Sequence, residues 1–219
     1  AMDEVERLAR ELRRPNYYAH LRFSQNCTSK KAGAVKQMGE EYYVKAKKHL
    51  VFFDLAWCDI DDDAARKLMD APELKKYRHY LEVQRLMKPH LLTENEEKLV
   101  SALELSGRSA FVRLFDETMG KIDVKIIMDG KEKELPLDAA LTHLYDPDRE
   151  MREMAHEAVT KALGDNMDLL TFIFNTLVQH HSTIDEFRKF PHPARSRNID
   201  NEVDDDTVEA LKAAVDKNI

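Results

Sequence analysis

Long apolar runs are missing from this 219-residue sequence, and its opening AMDEVERLAR lacks the apolar core of a signal peptide. A helix that crosses a membrane needs about 20 mostly apolar residues. The sequence therefore predicts a cytoplasmic protein with no membrane partner. Cysteine is also scarce, because Cys27 and Cys58 are the only two and form no CxxC pair. This scarcity favours reduced thiols over a disulfide or a cysteine-based metal site.

The common catalytic motifs are missing as well, since the sequence contains no GxSxG, no P-loop and no GxGxxG. A zinc peptidase motif of the HExxH kind places two His four residues apart on a helix, with a Glu between them as general base. The only His-Glu pair, His156-Glu157, has Thr160 where the second His would stand. We therefore predict no catalytic, cofactor-binding or metal-binding residue in this chain.

Three other clusters could carry chemistry, but a structural interpretation is favoured for each. His180 and His181 are adjacent and would point about 100° apart on a helix, which favours a surface or interface pair. His192 lies between two prolines and is typical of a solvated loop side chain. Asp61-Asp62-Asp63 precedes an apolar segment, where acidic residues cap a helix, and it lacks the alternate spacing of a calcium loop.

Charged residues are abundant, at 34%, but unevenly distributed. Residues 1–58 hold 11 Lys and Arg against 7 Asp and Glu, a net charge of +4, and residues 59–219 therefore carry −11, given the total of −7. The basic residues are spread among helical positions without an aromatic-interleaved run. Nucleic acid is therefore not a predicted partner.

Apolar residues recur at helical spacing over most of the chain. Residues 72–117 predict a core of three helices. Lys88-Pro89 ends the first, Thr93 and Glu96 form a capping box for the second, and Gly107 separates the second from the third.

Further helices are predicted before this stretch. Residues 3–13 predict a short helix that ends near Pro15. A longer stripe then predicts one helix of about 28 residues. Its members are Val35, Met38, Tyr42, Ala46, Leu50, Phe53 and Trp57.

The second half contains one strand signal. Residues 122–126 alternate between apolar and polar, Asp129-Gly130 supplies a two-residue turn, and residues 131–135 return as the second strand. Four helices are predicted after the hairpin. The first spans residues 136–144, and the second is capped by Asp146, with Pro147 in its first turn. The third spans residues 169–187, and the last begins at Asp206 or a neighbour. Residues 190–193 predict a loop. The predicted fold is mostly α, a multi-helix bundle or array with one small β-hairpin.

Several short motifs occur in a characteristic order. They are Pro72-Glu73-Leu74, Tyr80-Leu81-Glu82, Pro89-His90-Leu91-Leu92-Thr93, Glu96-Glu97, Gly107, Leu114-Phe115-Asp116 and Leu144-Tyr145-Asp146-Pro147-Asp148-Arg149. In this order and spacing they resemble the amino-terminal region of the oligoendopeptidase F family. These enzymes are zinc metallopeptidases related to thimet oligopeptidase.

The resemblance implies a division into a helical amino-terminal domain, residues 1–118, and a second part, residues 119–219. This second part would hold the β-hairpin and the start of the helical catalytic region. In that family HExxH and a further Glu bind zinc later in the chain, and zinc-bound water cleaves internal bonds of short peptides in a deep channel. The resemblance implies that this chain forms a wall of that channel, binds no zinc and is inactive alone. Its partners would be short peptides, the missing catalytic domain, or a second copy of the chain as a homo-oligomer.

The ends of the chain predict a piece of a longer protein, because a helical pattern is still in progress at Ile219 and the opening Ala-Met is typical of a cloning remnant. Two alternatives remain open. A free-standing α-helical interaction or peptide-binding module would show the same stripes but no large uncovered apolar face. An enzyme that lost its zinc site and retained peptide binding would require a natural gene that ends near Ile219.

Overall fold

The computed structural model describes residues 2–128 and 130–218, is 77% helical, and contains a two-stranded antiparallel sheet. This confirms the predicted fold class. The α-helices are α1 Met2–Gln25, α2 Lys30–Lys47, α3 Val51–Asp59, α4 Asp62–Met69, α5 Arg78–Leu86, α6 Glu94–Leu103, α7 Arg108–Met119, α8 Leu137–Thr142, α9 Arg149–Gly164, α10 Met167–Arg188, α11 Arg195–Asp200 and α12 Asp205–Asn218. The strands are β1 Asp123–Met128 and β2 Lys131–Pro136, and short 3₁₀ segments span Pro72–Tyr77, Lys88–His90 and His143–Tyr145. The predictions for Ala1, Asp129 and Ile219 lie outside the described residues.

The chain forms two compact units. The first unit comprises Ala1–Leu12, Val44–Leu103 and Gln179–Ile219, and the second comprises Arg13–Tyr43 and Glu104–Val178. The predicted division after residue 118 concerns a larger protein and stays a prediction. Among the helices that the structure describes, none combines the length and the apolarity that crossing a membrane requires.

The core of the first unit forms around Trp57, at the end of α3. Its buried members are Trp57, Cys58, Ala65, Met69, Tyr77 and Leu81. The Trp57 indole Nε1 donates a hydrogen bond to the Leu81 carbonyl at 3.0 Å. The Arg85 guanidinium lies 5.5 Å from the centre of the indole ring and donates to the Trp57 carbonyl at 2.9 Å. These contacts hold α5 against α3 and satisfy the polar atom of a buried aromatic side chain.

Two helices of the first unit begin with the predicted capping chemistry. Asp61 Oδ1 accepts hydrogen bonds from the N–H groups of Asp63, at 2.9 Å, and Ala64, at 3.2 Å, so the acidic run caps α4. Before α6, Glu96 Oε2 accepts from the Thr93 N–H at 2.9 Å, and Thr93 Oγ1 accepts from the Glu96 N–H at 3.4 Å. Both predicted caps are confirmed.

The predicted β-hairpin is confirmed and lies in the second unit. The antiparallel register runs from Asp123 opposite Pro136 to Met128 opposite Lys131. Alternation along β1 turns Val124 inward, where it is fully buried. The cluster it joins contains Ile122, Val124, Leu137, Ala140 and Val159. Because a two-stranded ribbon is marginal alone, this apolar contact with α8 and α9 stabilises the hairpin.

Helix α2 buries a different stripe from the predicted one. Met38 is 69% exposed and Tyr42 is 49% exposed, so the predicted apolar stripe is wrong for this helix. Its buried residues are Gly33, Lys36 and Gly39. A Cβ at Gly39 would lie 2.8 Å from the Cβ of Ala19 in α1. Glycine therefore permits an approach of the two helices that a side chain would prevent.

Lys36, the buried lysine of α2, has a carboxylate and an aromatic ring as partners. The Lys36 ammonium lies 3.6 Å from the Asp116 carboxylate and 4.4 Å from the centre of the Phe23 ring. One turn earlier, a Cβ at Gly33 would lie 2.7 Å from Nη2 of Arg113. Small residues and a paired lysine thus form the contact of α2 with α1 and α7.

Helix α1 continues through Pro15 for 24 residues, so the predicted end near that residue is wrong. Proline removes one backbone donor from the helix. Beyond it, however, Ala19 and Phe23 are 1% and 2% exposed, and their burial keeps the second half of the helix in place.

The predicted 28-residue helix is wrong, because the chain turns between α2 and α3. The N–H groups of His49 and Leu50 bond to carbonyls three residues back, those of Ala46 and Lys47, at 3.1 and 2.8 Å. Such tight bonds end an α-helix in a 3₁₀-like turn.

The start of α9 and the segment before α12 also differ from prediction. Asp148, rather than Asp146, caps α9 by accepting from the Glu150 N–H at 3.1 Å. Asp146 instead accepts from the Asp148 N–H at 2.9 Å, which makes a local turn before the helix. The short helix α11 follows the loop at residues 190–193 and was not predicted.

Candidate functional site

The near miss to a zinc motif lies on α9. Thr160 Oγ1 is 3.4 Å from His156 Nδ1, so the hydroxyl stands where a second zinc ligand would have to be. Asp61, in the acidic run, is a helix cap. Throughout residues 2–128 and 130–218, no group of three or more His, Cys, Asp and Glu side chains could hold a metal ion.

Two of the histidines considered from the sequence have specific partners in the first unit. His181 Nε2 is 2.9 Å from the Pro193 carbonyl and 3.2 Å from the Asp185 carboxylate. His192 Nε2 is 3.1 Å from Asp205 Oδ2, so His192 is paired as well as partly solvated. These contacts hold the loop at residues 190–193 against α10 and α12.

A concave space of about 340 Å³ lies within the first unit, and we call it the α3–α10 cleft. Its polar lining comes from separated segments and includes Lys47, Asp54, Glu97, Ser101, His181 and Arg188. Its apolar lining includes Val51, Leu55, Leu91, Ile184 and Phe190. Concave spaces with convergent polar groups are typical of ligand sites, although the lining of this cleft is more polar than that of most such sites.

One wall of the α3–α10 cleft is an ion pair between α10 and α6. Arg188 Nη1 and Nη2 donate to the two carboxylate oxygens of Glu97 at 2.7 and 2.9 Å, and each side chain is only 14% exposed. The Leu92 N–H also donates to Glu97, at 3.1 Å. Burial raises the pKa of Glu97, but the hydrogen bonds from Arg188 and Leu92 outweigh it, so the pKa is lowered.

The end of α10 positions this arginine. Lys189 adopts a positive φ of 55°, and the Phe190 N–H reaches back to the Asp185 carbonyl at 3.0 Å. This left-handed helix end turns Phe190 onto His90, with ring centres 4.2 Å apart. His90 is 8% exposed, and its Nδ1 lies 3.0 Å from the Arg188 carbonyl.

The opposite side of the cleft carries Asp54, on α3. Burial raises the pKa of the Asp54 carboxyl, while the nearby charge of Lys47 and the Tyr80 hydroxyl act in the opposite direction. The Tyr80 hydroxyl is 3.5 Å away, at the limit of a hydrogen bond. Asp54 is therefore a partly buried carboxylate with weak local compensation.

The cleft as a whole is acidic. The carboxylates in its lining are Asp54, Glu97, Asp185 and Asp200, and the fixed cations are Lys47 and Arg188. The net charge of the lining is −2 with His181 neutral. Sequence patterns did not predict this site, because no motif joins residues so far apart in the chain.

A second feature is the apolar surface of α10 in the second unit. The sequence predicted a strongly apolar helix there. Among the described residues of α10, however, only Ile173 is buried, at 1% exposure. On the two sides of Ile173, Phe172 is 60% exposed, and Phe174 and Val178 are 66% and 51% exposed. The prediction of a helical core is also only partly right for α6 and α7, since neither helix has a buried residue.

Comparisons with known proteins show which proteins this chain is similar to. A family model described as Oligopeptidase F matches residues 57–123. Oligopeptidase PepF of Bacillus subtilis (strain 168) is 22% identical over 225 residues, which cover 100% of this chain and 33% of that protein. Group B oligopeptidase PepB of Streptococcus agalactiae serotype III (strain NEM316) is 26% identical over 155 residues, or 69% of this chain and 26% of that protein. The crystal structure of oligoendopeptidase-F from Enterococcus faecium matches with a TM-score of 0.84 at 20% identity, over 99% of this chain and 44% of that one.

The helical fold with its β-hairpin is therefore shared with part of that oligoendopeptidase-F structure. These matches confirm the resemblance to the amino-terminal region of the oligoendopeptidase F family that the sequence indicated. It spans a third or less of the length of the curated relatives it matches.

Proposed function

We propose that this chain is the amino-terminal part of a zinc metalloendopeptidase that cleaves internal bonds of short peptides. It forms one wall of the peptide channel and does not hydrolyse peptides by itself. The names of the relatives, which are oligopeptidases longer than this chain, support this proposal. Residues 1–118 are the proposed helical amino-terminal domain, and residues 119–219 are the proposed start of the catalytic region. The cytoplasmic location stays a prediction.

The observation that carries the proposal is the exposed apolar surface of α10. Phe174 and Val178 lie four residues apart on one face of α10 and are 66% and 51% exposed. Phe172 is also exposed, at 60%, but it lies on the other side of the helix, with its ring centre 6.1 Å from that of Phe111. Large apolar side chains exposed together on one face are typical of an interaction surface. Burial of an aromatic side chain removes roughly 150–250 Å² of surface from water. At about 25 cal/mol per Å², covering this surface with a further domain would stabilise the protein by several kcal/mol.

The residues described here do not fit the zinc ion that the family uses. A zinc site needs three protein ligands and an open position for water, and His156 has a threonine hydroxyl where a second histidine is required. The metal and the general base would have to come from the remainder of the protein. No step of hydrolysis is assigned to side chains of this chain.

The activity test compares the protein encoded by the complete reading frame with residues 1–219 alone. Both are given an internally quenched peptide of about eight residues, at equal concentration and with added zinc. The proposal predicts hydrolysis by the complete protein, its loss on chelation, and none by residues 1–219. Hydrolysis by the short chain, or chelator-resistant activity of the complete protein, would contradict it.

The surface test uses the isolated chain. We expect it to self-associate through α10, because that face lacks its covering domain, and we expect Phe174→Glu to reduce the association. Asn175→Glu is the matched control, since it adds the same charge to the neighbouring exposed position of the same helix. Sedimentation over a range of concentrations measures the association. A wild-type chain that stays monomeric at all concentrations would support the alternative of a free-standing helical interaction or peptide-binding module.

A further inference from the structure

The α3–α10 cleft has the size of a small-molecule site, and its lining is about as polar as it is apolar. Its volume of about 340 Å³ is at the lower end of the range for ligand pockets, roughly 300–1,000 Å³. Val51, Leu55 and Ile184 supply apolar surface, and side chains of both charges surround it. This combination fits a ligand with a small apolar body and one polar end.

The charges in the cleft indicate the sign of that polar end. Arg188 and Glu97 neutralise each other through two hydrogen bonds, so neither is free for a ligand. His181 and Asp185 form a second pair, at 3.2 Å. Asp54 is different, because the hydrogen bond it accepts from the Tyr80 hydroxyl is long, at 3.5 Å.

Lys47 compensates the negative charge of Asp54 only in part. Its charge is close enough to lower the pKa of Asp54, but the burial of Asp54 has the larger effect, and the pKa remains raised. No hydrogen bond or ion pair between the two side chains is present in the described residues. A cation brought by a ligand would therefore stabilise a carboxylate that the protein leaves poorly compensated.

We propose that the α3–α10 cleft binds a small primary ammonium ion carried on an apolar body, with the Asp54 carboxylate as its counter-ion. The amino-terminal residue of a short peptide has this chemistry, and that version of the ligand rests on the proposed function. The ammonium donates hydrogen bonds to Asp54, and the apolar body lies against Leu55 and Ile184.

The test measures binding rather than hydrolysis, so its outcome is independent of the peptidase proposal. Leucine amide is titrated into the 219-residue chain at pH 6.5, where its amine is protonated, and calorimetry gives the Kd. N-acetyl-leucine amide, which has the same body without the charge, is the ligand control. We expect leucine amide to bind and the acetylated compound to bind at least about tenfold more weakly, as expected for loss of a hydrogen bond to a charged group.

Three variants test the position of the site. Asp54→Asn should weaken leucine amide binding at least about tenfold. Lys47→Met should strengthen it, because a competing cation is removed from an exposed position. Asp216→Asn, an exposed carboxylate change on α12, should leave the Kd unchanged. Circular dichroism checks that each variant is folded.

Several outcomes would overturn the proposal. They are no binding of leucine amide to the wild-type chain, equal binding of the acetylated compound, or an unchanged Kd in folded Asp54→Asn. If the complete protein does not hydrolyse peptides but leucine amide still binds, the proposed function is contradicted and the binding site is still supported.

Discussion

Breaking the ion pair between Arg188 and Glu97 should destabilise the first unit more than any exposed ion pair does. Two parallel hydrogen bonds join these side chains, each 14% exposed, across a separation of 91 residues in sequence. The Arg188 side chain also donates to the His90 carbonyl at 3.2 Å. Removing the arginine would leave a mostly buried carboxylate with only the Leu92 N–H as a donor.

The expected magnitude follows from that desolvated charge. Removing one partner of a buried pair costs about 3–5 kcal/mol, and the residual exposure lowers this to roughly 2–4 kcal/mol for Arg188→Met or Glu97→Gln. Replacing both residues should cost little more than replacing one, because no unpaired charge remains. The coupling energy from the double-mutant cycle should then be roughly 2–3 kcal/mol.

Urea unfolding followed by tryptophan fluorescence is the assay. Trp57 is the only tryptophan in the sequence and lies in the core of the first unit, so its signal reports on the unit that holds the pair. The matched control is the exposed pair Lys98 and Glu94 on α6, whose coupling should be about 0.3–0.5 kcal/mol. A coupling for Arg188 and Glu97 no larger than this control would refute the reasoning.

Two further predictions concern the second unit and the last helix. Gly120→Ala should destabilise the protein by about 1–3 kcal/mol in thermal unfolding, because the new Cβ would collide with the Cys27 sulfur. Adding Cys27→Ala should suppress this loss of stability. The control Gly164→Ala should not destabilise the protein, because the space around Gly164 is open. The pKa of Asp205 is lowered to about 2, first by the Asn198 side-chain amide, so this carboxylate contributes stability above its unfolded pKa of about 3.9 that is lost as the pH falls toward 2. Asn198→Ala should move the pKa of Asp205 measured by NMR upward and reduce that pH dependence, and an unchanged pKa would count against the assigned hydrogen bond.

The parts of the fold that sequence predicted correctly depend on local chemistry. The capping box of Thr93 and Glu96 needs only residues three apart, and the hairpin needs only alternation and a turn. The parts that failed depend on distant partners. Pro15 lies within α1 because packing beyond it outweighs one missing hydrogen bond.

Helix α2 shows why an apolar pattern can point to the wrong face. The exposed side carries Met38 and Tyr42, while glycine and a paired lysine make the contacts. A hydrophobicity pattern cannot register glycine as a contact residue, nor a lysine whose counter-ion, Asp116, lies 80 residues away. The residues of the α3–α10 cleft were missed for the same reason, since its charges come from separated segments.

The central claim, that this chain is the amino-terminal part of a larger zinc oligopeptidase, is tested most directly by reading the natural gene beyond the codon for Ile219. We predict that the reading frame continues and encodes HExxH with a further Glu downstream. A stop codon close to that position would contradict the claim. The chain would then be a helical binding protein of oligopeptidase ancestry, without zinc chemistry.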